Sequence, residues 1–145
     1  ELWTMSELVE EPGNLVLFSG TDDRLTAAAV LTAGAAALGR PVHIFLQYWA
    51  LDAFRADKIN ERRPLAPEAG VAGAAAVEQM RAAGQQPWVE TLRMAKDIGE
   101  VDIQACSLSM DLLSLSADQL DPIVDGVEGV AAFYVNAGNG QIVFI

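Results

Sequence analysis

Two short, unbroken apolar runs flanking one charge-free helical stretch constrain this chain most. Asn14-Leu-Val-Leu-Phe-Ser19 follows the turn signal Pro12-Gly13 and has strand length. Thr21 then caps a helix that carries Asp22 and Asp23 in its first turn, where the positive end of the helix dipole favours acids. The stretch Leu25–Gly39 holds no charged residue; Ala27, Val30, Leu31, Gly34 and Leu38 recur at helical spacing, as an apolar face of a helix does, and Gly39 ends the element. Pro41-Val-His-Ile-Phe-Leu46 is a second buried strand. Strand, helix and strand with short joints form a βαβ unit, whose two strands run parallel with a right-handed crossover.

The rest of the chain extends this pattern. From Arg55 to Gln86 the periodicity fails, and the segment reads as a mobile excursion with a short helix through Ala74–Ala83. Pro87 opens another helix, with Trp88, Leu92, Ala95 and Ile98 on one face and Gly99 as its stop. Val101–Cys106 is a third strand, and Ser107–Asp111 starts a helix capped by Ser107 or Ser109. Ser116-Ala-Asp-Gln119 fits a capping box, Val124–Val127 a brief strand, Val130–Ala137 a helix and Gln141–Ile145 a final strand. The expected fold is a three-layer α/β/α domain with about five mostly parallel strands. One domain spans 14–145, and residues 1–13 form an arm before it; Glu1–Pro12 reads as a loose segment, with no signal peptide ahead of the domain.

Composition narrows the function. The chain has 145 residues and carries 9 basic against 20 acidic ones, a net charge of −11 that disfavours nucleic acid and anionic membrane as partners. Its hydrophobic fraction of 52% is high for a soluble domain of this size; alanine inflates the count, and surface buried between subunits is expected as well. The charge-free stretch is too short to cross a bilayer, so no transmembrane segment is expected. A single cysteine excludes an internal disulfide and fits a reducing, cytoplasmic setting.

In an open parallel sheet, ligands sit at the carboxyl ends of the strands. Three segments project there: Ser19–Asp23, Gln47–Trp49 and Cys106–Asp111. The first has one glycine, Gly20, and two acids, which does not make a dinucleotide loop. A receiver-like magnesium site would need an aspartate where Cys106 stands. The thiol has no arginine six residues on, since position 112 is Leu, and Ile103 stands where a peroxiredoxin carries threonine. No second thiol resolves it. His43 begins its strand while Cys106 ends a neighbouring one, so the two are far apart, and His43 reads as a hydrogen-bonded strand residue. Neither metal nor organic cofactor is expected. Cys106 itself, beside a helix amino terminus, is placed where thiolate is favoured over thiol. A lone activated thiol suits one task, holding sulfur as a persulfide and passing it on.

Leu15-Val-Leu-Phe-Ser-Gly with Asp23, Val42-His-Ile-Phe-Leu-Gln-Tyr-Trp-Ala-Leu, Ala105-Cys-Ser-Leu-Ser-Met-Asp and Gly126-Val-Glu-Gly-Val-Ala resemble the DsrE/DsrF-like family, in the branch with a Cys-x-x-Ser-Met-Asp segment after strand three. The resemblance implies a flavodoxin-like, DsrE-like fold and small oligomers, trimers to hexamers. It implies that Cys106 carries sulfane sulfur from rhodanese- or TusA-like donors. Ser107, Ser109, Met110 and Asp111 would shape the loop of the thiol, Tyr48 and Trp49 would wall its pocket, and Gly20 and Asp23 would border it. The 55–86 segment lacks the Lys/Met-rich character of that branch. The competing readings are a non-catalytic oligomeric scaffold or regulatory subunit in which Cys106 is buried, and a small-ligand or nucleotide binder at the same crevice.

Overall fold

The computed structural model describes residues 2, 4 and 11–145; most of the 1–13 arm lies outside the described residues. Five strands, β1 (Gly13–Leu17), β2 (Val42–Leu46), β3 (Val101–Cys106), β4 (Gly126–Glu128) and β5 (Ile142–Phe144), form one sheet in the order β4-β3-β2-β1-β5. Every pairing is parallel. All five residues of β2 are buried, as a central strand covered on both faces requires.

Among the described residues six helices connect or flank these strands: α1 (Asp22–Leu38), α2 (Tyr48–Ala53), α3 (Gly70–Ala82), α4 (Trp88–Ile98), α5 (Ser107–Leu112) and α6 (Val130–Ala137). The chain steps across the sheet in one direction from β1 to β4 and then returns to the far edge for β5. Right-handed crossovers therefore put the first connections on one face and α6 on the other. The pleat confirms this. Leu15, Leu17, Val42, Ile44, Leu46, Ile103 and Ala105 enter the large core with Leu25, Trp88, Leu92 and Met110. The alternate residues Val16, Phe45 and Cys106 point the opposite way and meet Phe133 of α6. Among the described residues the two outer layers are thus unequal, and α6, a helix of eight residues, is the one helix on its side.

Several local expectations hold. Thr21 is the N-cap of α1, and Gly39 closes the helix with φ 83°, a left-handed conformation that glycine adopts without a Cβ penalty. Pro87 precedes α4, and Ser116 and Gln119 form the expected capping box. Others are corrected. The inward face of α1 is Leu25, Ala28, Ala29, Thr32 and Ala36, whereas Val30, Leu31 and Leu38 are half or more exposed. The helix is apolar nearly all round, so periodicity does not choose a face. Close packing on α4 does: a Cβ at Gly99 would lie 2.8 Å from that of Ala36, so small residues must turn inward. Ile98, expected inside on α4, is 54% exposed, and Val89 is buried on that helix instead. The N-cap of α5 is Cys106, not Ser107 or Ser109, and no side chain caps that helix.

The 55–86 segment folds into turns, a 3-10 turn at Pro67–Ala69 and α3, none of whose residues is buried. It is anchored at its first half. Ile59 and Ala66 are buried, Arg63 donates to the Gly20 carbonyl, and Asp52 pairs with Lys58 at 3.0 Å and with Arg63 at 3.6 Å.

Candidate functional site: the carboxyl ends of the strands

The loop after β1 serves the architecture. A Cβ on Gly20 would stand 2.4 Å from the Trp49 carbonyl oxygen, so only glycine lets this loop pass under α2. Asp23 accepts hydrogen bonds from the Ala66 N–H at 3.0 Å and the Arg24 N–H at 3.1 Å. Burial pushes its carboxyl pKa up, but the Ala66 N–H, the Thr21 hydroxyl and nearby backbone N–H groups outweigh this and hold it below the usual value. Both residues therefore fasten the 55–86 segment to the rim of the sheet.

The turn after β2 is held by backbone bonds to β1, Gln47 N–H to Leu17 O at 2.9 Å and Ala50 N–H to Phe18 O at 3.0 Å. Tyr48 takes φ 44°, a strained conformation for an aromatic residue. Its ring lies 4.9 Å from that of Phe18, which in turn lies 5.7 Å from Phe144, while Trp49 is 6.0 Å beyond Tyr48. This row of aromatics crosses the ends of β5, β1 and β2, and its last member, Trp49, is 53% exposed.

Cys106 is the last residue of β3 and the N-cap of α5, so free backbone N–H groups of the first turn start directly after it. Its side chain is 1% exposed and packs with Val16, Phe45 and Phe133. Ser109 is 1% exposed, and its hydroxyl has no hydrogen-bond partner among the described residues. Met110 turns into the large core, Ser107 is half-buried and Asp111 points to solvent. Leu108 and Leu112 of α5 are 56% and 58% exposed. Helix α5 packs against α2, which carries Trp49.

One constellation escaped the sequence. His43 is 7% exposed, and its two ring nitrogens face two carboxylates: Nε2 is 2.5 Å from Glu128 Oε1 and Nδ1 is 3.1 Å from Asp102 Oδ2. The second Glu128 oxygen accepts from Asn136 Nδ2 of α6 at 3.0 Å. Glu128 is also the register partner of Cys106 across β3 and β4. His43 is thus a hydrogen-bonded strand residue, as expected, but it connects through Glu128 to the strand beside the thiol. The only local signal was an acid at the end of an apolar segment. Among the described residues no group of three or more His, Cys, Asp or Glu side chains is placed to hold a metal ion.

The chain is 28% identical to the uncharacterised protein YrkE of Bacillus subtilis over 88% of this chain and 92% of that protein. A solved structure of a protein of unknown function from Methanobacterium thermoautotrophicum, MTH1491, superposes with a TM-score of 0.56 at 13% identity, covering 94% of this chain and 98% of the other, and so shares the fold. The profile of the DsrE/DsrF/DrsH-like family matches residues 10–83, half of the chain, from the start of β1 through α3 and short of Cys106. The chain belongs to the DsrE/DsrF/DrsH-like family.

Proposed function

We propose that the protein is a sulfur carrier that holds sulfane sulfur as a persulfide on Cys106 and relays it between thiol partners. Family membership suggests a role related to sulfur relay. The observation that carries the finer reading is the position of the only thiol, at the junction of β3 and α5. In the transfer, the Cys106 thiolate attacks the outer sulfur of a donor persulfide. The donor S–S bond breaks as the new one forms, the donor leaves as a thiolate, and no external oxidant is consumed. Rhodanese- or TusA-like proteins are the proposed donors.

The working unit is a homo-oligomer, trimer to hexamer, in the cytoplasm. Supporting this are the uncharged outer face of α1, with Val30, Leu31 and Leu38, the exposed Trp49 of α2, and the exposed Leu108 and Leu112 of α5, the helix that begins at the thiol. Among the described residues no helix is long and apolar enough to cross a membrane. The near-complete burial of Cys106 favours a second reading, an oligomeric scaffold with a structural cysteine. Intact mass after incubation with a persulfide donor decides between them: a gain of one sulfur per chain supports the carrier, and no gain supports the scaffold.

A further inference from the structure

A carrier thiol must meet its donor, yet Cys106 is 1% exposed and shares its cluster with Phe133 of α6. Among the described residues, α6 is the helix that covers this side of the sheet. Helix α6 has eight residues, too few to be stable alone, and it lies between Gly129 and Gly138, the latter at φ 55°. It leaves Val130, Tyr134 and Val135 exposed.

Three ties hold α6 down. Phe133 stacks on Phe45 at 4.8 Å and lies 5.6 Å from the His43 ring. Asn14 Nδ2 reaches the Ala137 carbonyl at 3.5 Å. Asn136 donates to Glu128, whose other oxygen is held by His43 at 2.5 Å. The last tie is the only one of the three made to a carboxylate, and it stands on the strand that pairs with Cys106.

We propose that α6 is a lid over Cys106 and that the His43–Glu128–Asn136 chain is its latch. This rests on the carrier reading for its purpose but not for its test. His43, Glu128 and Asn136 are positioning residues: they touch no sulfur, and they set how often the thiol is reachable.

The test is the rate at which iodoacetamide labels Cys106 in the native full-length chain, read by mass, with Cys106→Ser as the blank. Losing one hydrogen bond to a charged group corresponds to roughly tenfold in an opening equilibrium. Asn136→Ala is therefore expected to label about tenfold faster, with faster amide exchange confined to α6 and an unchanged urea slope for global unfolding. His43→Ala should act in the same direction; because that side chain is buried, the exposed Asn136 variant keeps the test valid should His43→Ala not fold. The proposal is overturned if Asn136→Ala labels at the wild-type rate, or if labelling in all variants follows the denaturant dependence of global unfolding. Polysulfide loading measured in parallel separates the two ideas. Faster labelling without any sulfur gain would leave the lid standing and remove the carrier, whereas sulfur gain with labelling indifferent to Asn136 would do the reverse.

Discussion

Replacing Asp23 with alanine removes the fastening between the rim of the sheet and the 55–86 segment. The Asp23 carboxylate accepts from the N–H of Ala66, a residue only 2% exposed, so the variant leaves a donor in a dry place with no acceptor. An orphaned buried donor costs about 1–3 kcal/mol. Asp23 is only partly buried, and the Asp22 N–H bond to Pro64 O at 2.9 Å and the Arg63 bond to Gly20 remain, which places the expected loss near the low end, about 1–1.5 kcal/mol. That is roughly tenfold in local opening. Amide exchange across residues 65–69 is therefore expected to speed up about tenfold, with tryptic cleavage after Arg62 rising alongside. Acid should reproduce the effect. The Asp23 carboxyl is held below its ordinary value, so its contribution is fully present above the unfolded carboxyl pKa of about 3.9 and is lost as pH falls through the lower, folded value. Unchanged exchange at Ala66 in Asp23→Ala, or wild-type exchange protection that persists through that acid range, would refute the tether.

Gly20→Ala should lower thermal stability by several degrees, because its Cβ would meet the Trp49 backbone at 2.4 Å and neither chain segment can yield without breaking bonds between β1 and the turn after β2; a melting midpoint within a degree of wild type would contradict that. Light scattering of the wild type should give a multiple of 15.4 kDa, and Leu31→Glu on the outer face of α1 should shift it toward monomer while leaving circular dichroism unchanged; a multimer indifferent to that charge would move the interface elsewhere.

The strands, caps and helix ends were legible because each is set by residues close in sequence. Val42–Leu46 is buried throughout, and apolar but for His43, since a central parallel strand is covered on both sides, and Gly39, Pro87 and the Ser116–Gln119 pair act within one helical turn. The inward face of α1 was not legible. Its larger residues suggested the core, but the close approach of α4 admits only the alanine side, and that approach is a property of two elements 50 residues apart. The Cys106 position was readable from the strand-to-helix change, while its burial was not, because Phe133 reaches it through the return crossover from β4 to β5. For the same reason the bond from His43 to Glu128 joins residues 85 apart with no local signature. Tyr48 and Trp49, expected around the thiol, instead line up with Phe18 and Phe144 across the strand ends.

The central claim is that Cys106 carries sulfur, and it is tested most directly by the intact mass of the chain after exposure to polysulfide or a loaded rhodanese. The account predicts one added sulfur, about 32 Da per chain, removed by a thiol reductant because persulfides exchange as disulfides do. Cys106→Ser, with the same fold and oligomeric state, should gain nothing, since no other thiol exists in the sequence. If neither the wild-type chain nor the Asn136→Ala variant gains mass from any donor, the carrier is contradicted and Cys106 is left as a buried structural residue.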